Sequence, residues 1–225
     1  MAATSILDQG GPVMYLLLAL SVLSTAIVLL KLYQFWRLRL RRLDFVDETM
    51  EALDARRWED ADRLLAGQVN PAARVLRAAL ATGASEAGAV QGLETELSRL
   101  GSAELRSLES WLRALSAIAH LSPLLGLLGT VLGMIRAFMA IQSAGPRVDP
   151  TTLSGGIWVA LLTTAFGLAV AIPSMAAFYL LEGEVDRFKG ALGDVCLRLL
   201  GRQGETRELR QRLGASRLAR EDYGV

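Results

Sequence analysis

The sequence predicts an all-α membrane protein with three transmembrane helices and long helical extensions into the cytoplasm. Three observations predict it. Hydrophobic residues make up 52% of the 225-residue chain while charged residues still make up 21%. The apolar residues gather into three runs of spanning length. The charges gather between the first and second runs and after the third, where the apolar residues return at spacings of three and four.

The first run, residues 13–30, carries no charge and reads almost entirely Leu, Val, Ile, Ala and Ser. A secretory signal would need a basic stretch before it and a small-residue cleavage site behind it. Here Asp8 is the only preceding charge and the run leads into Lys31 and Arg37, so it is expected to stay in the mature protein. The second run, 118–141, is interrupted only by Arg136 near its far end, where a long side chain reaches the interface or a partner. The third span is placed at 155–181 and is uncharged from 157 to 181, with Pro173 inside it. That proline frees the carbonyl of Ala169, which neighbouring helices or water must satisfy.

Lys31, Arg37, Arg39, Arg41 and Arg42 follow span one, and Arg99, Arg106 and Arg113 lead towards span two. The positive-inside rule then puts residues 1–12 in the periplasm and 31–117 in the cytoplasm. The connection 142–154, with Arg147 and Asp149, is external, and 182–225 returns to the cytoplasm. Within 31–117 the sequence reads as helical, broken at Asn70-Pro71 and again at Gly83-Ala84-Ser85, where a helix N-cap is expected. Leu93, Leu97 and Leu100, then Leu105, Leu108, Leu112 and Leu115, predict one amphipathic helix entering span two without a loop. It is expected to pack against the start of the tail helix, where Leu192, Val195 and Leu199 repeat the pattern. From 201 to 225 no apolar face persists, which predicts a solvated or partly disordered tail.

A net charge of +1 with no basic block interleaved with aromatics gives no support to nucleic-acid binding. One cysteine, Cys196, makes no internal disulfide, and one histidine, His120, builds no His-rich metal site, so neither metal nor cofactor is expected. His120 reads as an interfacial polar residue, with a proton relay as the alternative. No nucleophile, base and orienting group occur together and no phosphate loop is present, so the chain is not read as an enzyme.

Gly126, Gly129, Thr130, Gly133 and Ala137 lie on one face of span two, and Ala160, Thr164, Gly167 and Ala171 on one face of span three. Small residues let transmembrane helices approach closely, and packing alone accounts for every glycine. A threonine hydroxyl can return to the carbonyl one turn earlier, so spacing leaves both packing and an ion pathway open.

The stretch 122–138, SPLLGLLGTVLGMIRAF, resembles the second-span signature of the TolQ/ExbB group, and 155–173, GGIWVALLTTAFGLAVAIP, resembles its third. With the spans and the long cytoplasmic helices, the resemblance covers nearly all of the chain except the final tail. It implies the proton-channel subunit of a proton-driven inner-membrane motor. The implied assembly is a homo-pentamer, in membrane lipid, around two copies of a single-span TolR/ExbD-like partner, with a TonB/TolA-like protein as a further partner. The partner supplies an aspartate. Thr130 and Thr164, with Thr163 beside them, mark the implied proton pathway, and Gly126, Gly129, Gly133, Ala160 and Gly167 a small-residue face lining the pore.

No acid lies in any of the three spans. Such a chain has no carboxylate of its own to carry a proton, but its hydroxyls can solvate one supplied from elsewhere. Where the family places a glutamate five residues before the third-span threonine, this sequence has Val159. Two other readings therefore stand beside the motor subunit: a motility stator, and a non-conducting scaffold in which the small-residue faces only assemble a ring.

Overall fold

The computed structural model describes residues 2–83, 90–144 and 150–221. Over these the chain is α-helical with no strand: α1 (Ala2–Leu38), α2 (Asp44–Asp54), α3 (Trp58–Ala66), α4 (Pro71–Gly83), α5 (Val90–Glu109), α6 (Leu112–Ala144) and α7 (Pro150–Glu221). α1, α6 and α7 each hold a stretch long and apolar enough to cross a membrane. The chain divides into two compact units, one of Met1–Gln34 with Glu109–Gly183, the other of Phe35–Leu108 with Glu184–Val225.

In the first unit α1 is kinked at Gly11, whose φ of 65° falls where L side chains are strained but glycine is not. Pro12 follows, and because it has no N–H to leave unpaired it suits the restart of a helix. The guanidinium of Arg136 lies against the kink: a β-carbon at Gly11 would sit 3.1 Å from Arg136 Nη1. Met14, Leu17, Ser24, Ile27 and Lys31 are buried at helical spacing and form the inner face of α1. Lys31, the first of the basic residues that follow span one, is 0% exposed. Its Nζ donates to Gln34 Oε1 at 2.9 Å and to Ser110 Oγ at 3.4 Å, the partners a buried ammonium requires.

Pro123 and Pro173 lie inside α6 and α7, and both helices run through them. The serine beside each donates its hydroxyl four residues back, Ser122 to the Ile118 carbonyl and Ser174 to the Val170 carbonyl, both at 2.7 Å. Each hydroxyl serves the carbonyl beside the one that its proline frees, a back-bond that favours a bend and does not replace the missing N–H.

The single helix expected to enter span two is corrected. α5 ends at Glu109 and α6 begins at Leu112, with Trp111 between them at φ 66°. A left-handed residue cannot continue a right-handed helix, so the leucine stripe is divided between two helices. Leu97 and Leu108 are buried on α5, and Leu112 and Leu115 on α6. The α7 backbone is helical to Glu221, in place of the partial disorder expected as one alternative for the tail. From 201 to 221 the run is rich in Arg, Glu, Leu, Ala and Gln, which are good helix formers, and has no proline to break it, although Gly201, Gly204 and Gly214 lie within it.

The second unit builds its core from Phe45, Val46, Met50 and Leu53 of α2, Leu65 of α3, and Val75 and Leu76 of α4. Val185, Phe188, Leu192, Val195 and Leu199 line the buried face of α7 in this unit. Gly101 lies beside Leu192, so α5 packs on α7 as the leucine spacing predicts. Ion pairs join Arg41 to Glu184, Arg74 to Glu104 at 2.7 Å, Arg77 to Asp62 at 3.0 Å and Arg198 to Asp47 at 3.0 Å. Asn70, 2% exposed, caps α4 through Oδ1, which accepts from the Ala72 N–H at 2.9 Å, with Pro71 in the first helical position. The expected N-cap at Ala84-Ser85 and the loop residues Arg147 and Asp149 lie outside the described residues.

Candidate functional site

The small residues of α6 and α7 meet one another along a single seam. A β-carbon at Gly126 would lie 3.0 Å from the Thr163 carbonyl oxygen and 3.1 Å from Thr164 Cα. At Gly133 it would lie 3.2 Å from Ala160 Cβ, and at Gly167 only 2.7 Å from the Ser122 carbonyl oxygen. Gly129 opposes the Thr163 side chain, and Gly156 opposes Ala137. The backbones therefore approach as closely as glycine permits, as expected where lipid gives helices no hydrophobic reason to associate.

The threonines occupy three different situations. Thr163 is 1% exposed and donates to the Ala160 carbonyl at 2.7 Å, with the Gly126 carbonyl at 3.4 Å. Thr164 is half-buried, and its Oγ1 donates across the seam to the Gly126 carbonyl at 3.2 Å. Thr130 is half-buried and returns its hydroxyl to the Leu127 carbonyl of its own helix at 2.6 Å. Thr163 and Thr164 are thus brought together on the Gly126 oxygen, while Thr130 satisfies itself one turn further along α6. Val159 is half-buried on α7 next to Trp158, which is exposed.

His120 is exposed on α6, with Nδ1 2.7 Å from the Ser116 carbonyl. Among the described residues no three His, Cys, Asp or Glu side chains cluster as a metal site would require. Ser122 and Gly156 escape a reading by sequence alone. Continuing the spacing of four back from Ala160 would find Gly156, whereas Ser122 contributes a carbonyl, on which spacing is silent.

The seam with its hydroxyls lies within residues 68–192, the stretch that matches the profile of the MotA/TolQ/ExbB proton channel family. The chain belongs to that family. Among curated MotA/TolQ/ExbB proteins it is 46% identical to biopolymer transport protein exbB1 of Vibrio cholerae over 78 residues, 35% of this chain and 34% of that protein. It is 37% identical to the Tol-Pal system protein TolQ of Haemophilus influenzae over 91 residues, 40% of each chain. An ExbB homolog of Methanothermobacter thermautotrophicus is 29% identical over 179 residues, 79% of this chain and 62% of that protein. The chain thus spans about a third to two thirds of the length of these relatives. Family membership and three spanning helices make it an inner-membrane protein.

Proposed function

We propose that this chain is the channel subunit of a proton-motive-force-driven motor, passing energy to the periplasm or outer membrane through a TolR/ExbD-like single-span partner. The observation that carries the reading is the half-buried hydroxyl pair, Thr130 on α6 and Thr164 on α7, inside the family-matched stretch. In this reading five copies surround two partner helices, and a TonB/TolA-like protein receives the work. The N-terminus is periplasmic and the C-terminus cytoplasmic, in keeping with the basic residues that flank span one.

The chemistry follows from what the spans lack. With no acid of its own in the membrane, the chain offers hydroxyls to a carboxylate that the partner brings, and to the water around it. Thr130 and Thr164 are accessible enough to serve. Thr163, enclosed against Gly129, serves by holding its neighbour in place. Gly126, Gly129, Gly133, Ala160 and Gly167 set the spacing of α6 and α7, so that the pore-facing side of the pair stays narrow. Membrane voltage supplies about 2.3 kcal/mol per charge per 100 mV, so a few protons drive a mechanical step.

The test is proton flux into vesicles holding the chain and its partner under an imposed pH gradient. Thr130→Val with Thr164→Val keeps shape and deletes both hydroxyls, so the complex should assemble and the flux fall. Normal flux in the double variant returns both residues to packing. Val159 favours a second reading, the non-conducting scaffold, because an ionisable group of the family pattern is missing there. Val159→Glu separates the two: increased flux marks the present chain as an attenuated channel. If the unaltered chain and the Val159→Glu variant both fail to conduct while assembling a ring, the scaffold reading stands.

A further inference from the structure

The turn that ends α1 exposes arginines that no internal contact explains. α1 stops at Leu38 because Arg39 takes a φ of 48°, and the chain then turns into α2. The turn is fixed from beneath. Leu40 is 4% exposed, and the buried Asn70 side chain donates from Nδ2 to the carbonyls of both Arg39 and Arg42, each at 3.1 Å. The Arg42 N–H closes on the Arg39 carbonyl at 2.9 Å. A buried amide therefore holds the backbone on both sides of Leu40, and Arg39, Arg41 and Arg42 are all left exposed.

These arginines differ in their commitments. Arg41 is engaged, its Nε donating to Glu184 Oε2 at 2.9 Å. Arg37, Arg39 and Arg42 are exposed and have no ion-pair partner among the described residues. The carboxylates nearest in sequence, Asp44 and Asp47, belong to the first turn of α2, where Asp47 binds Arg198. Immediately before the arginines, Leu32, Tyr33 and Trp36 are exposed on the last turns of α1, Trp36 by 78%. Exposed Trp and Tyr at the end of a spanning helix mark the depth of lipid headgroups, where an aromatic ring is half in hydrocarbon and half in water. Four guanidinium groups follow that ring within six residues, three of them without an ion-pair partner among the described residues, one at the end of α1 and two on the preorganised turn. Guanidinium is the side chain whose fork matches phosphate oxygens in pairs.

We propose that Arg37 at the end of α1, together with Arg39 and Arg42 on the turn held by Asn70, forms beside Trp36 a binding site for the headgroup of an anionic phospholipid. A membrane-bound phosphate suits the position better than a free one, because the aromatic and leucine side chains before it offer acyl-chain contact. The proposal stands apart from the proton pathway and makes no use of the threonines.

Native mass spectrometry of the full chain in mild detergent, titrated with dioleoylphosphatidylglycerol or dioleoylphosphatidylcholine, tests it. The phosphatidylglycerol adduct should dominate. Changing Arg37, Arg39 and Arg42 together to Gln should weaken it by about a hundredfold, roughly fivefold for each charge removed. Arg41→Gln, which breaks an internal pair instead, should leave the preference within about twofold of the unaltered chain. Where the triple variant misfolds, Arg39→Gly with Arg42→Gln is the substitute, since glycine accepts the left-handed turn without strain, and a loss of about 25-fold is expected. Equal retention of the two lipids, or undiminished phosphatidylglycerol binding in the substituted chain, overturns the proposal. Displacement of the lipid by millimolar inorganic phosphate overturns it too, and makes the site one for free phosphate.

Discussion

Gly167→Ala adds one methyl group at the tightest backbone approach in the α6–α7 seam. The new β-carbon would lie 2.7 Å from the Ser122 carbonyl oxygen, 3.0 Å from Gly126 Cα and 3.2 Å from Gly126 N. All three are backbone atoms, so no side chain can rotate away. A carbon and an oxygen rest at about 3.3 Å or more, so the helices must part by roughly 0.5 Å at this point. Overpacking of this kind costs about 1–3 kcal/mol. Parting also stretches the Thr164 hydrogen bond to the Gly126 carbonyl, already 3.2 Å long, which removes a further 0.5–1.5 kcal/mol or so. Against this, alanine gains about 1 kcal/mol over glycine in helix propensity. The expected net is a loss of about 1–3 kcal/mol. Gly190→Ala on the same helix meets nothing within 4 Å, so it shows the propensity gain alone and should stabilise by up to about 1 kcal/mol. Unfolding of each variant by dodecyl sulfate in mixed micelles, followed by circular dichroism, measures the difference. If Gly167→Ala proved as stable as Gly190→Ala, the seam would be looser than these distances say and the close-packing account of its glycines would fail.

Three further outcomes are expected. Asn70→Ala removes the α4 cap, the side-chain donor to the Arg42 carbonyl and one of the two donors to the Arg39 carbonyl, a loss of about 2–4 kcal/mol. Asn70→Asp should recover only the cap part of it in the same unfolding experiment, and full recovery would contradict the bridging role. Hydrogen bonding to Arg41 holds the Glu184 carboxyl below its ordinary pKa. A lowered acid contributes stability that is fully present above its unfolded pKa and is lost as pH falls through the folded one. The melting temperature of the unaltered chain should therefore exceed that of Glu184→Gln at neutral pH and converge with it in acid, and a gap independent of pH would refute the linkage. Finally, Thr163→Val should destabilise the seam by removing the hydroxyl that binds the Ala160 carbonyl while leaving the proton flux of a folded complex close to that of the unaltered one, whereas Thr164→Val should cost the seam its hydrogen bond to Gly126 and also lower the flux. Equal effects of the two on flux would remove the distinction drawn between them.

The spans were legible because an uncharged run of bilayer length is the pattern that hydrocarbon selects. The α5 and α7 stripes were legible because Leu97, Leu108, Leu192, Val195 and Leu199 repeat at helical spacing, and all five are buried. The break at Ser110-Trp111 was not. Tryptophan carries no local signature of a left-handed backbone, and no glycine, asparagine or proline marks the place. Asn70 was visible as a break, but its grip on Arg39 and Arg42 spans about thirty residues of sequence, beyond any local pattern. The site was half legible. Spacing put the glycines and threonines of each span on one face, yet periodicity cannot name what a face meets, and here each meets the other. The charge of Lys31 counts towards the cytoplasmic side of span one, and only the fold supplies the Gln34 and Ser110 oxygens that let it be buried.

The Gly126 carbonyl has two donors. It accepts from Thr164 at 3.2 Å, in addition to the N–H that the helix itself brings four residues on, while the one proton of the Thr163 hydroxyl goes to the Ala160 carbonyl at 2.7 Å. When the Thr164 hydroxyl swings towards a passing water, that oxygen is not stranded, because the helix N–H remains. A polar group that leaves its partner usually incurs the full penalty of an orphaned acceptor. At this position the helix N–H keeps the acceptor paired, so the hydroxyl gives up one bond without orphaning its partner while the backbones around it stay clamped.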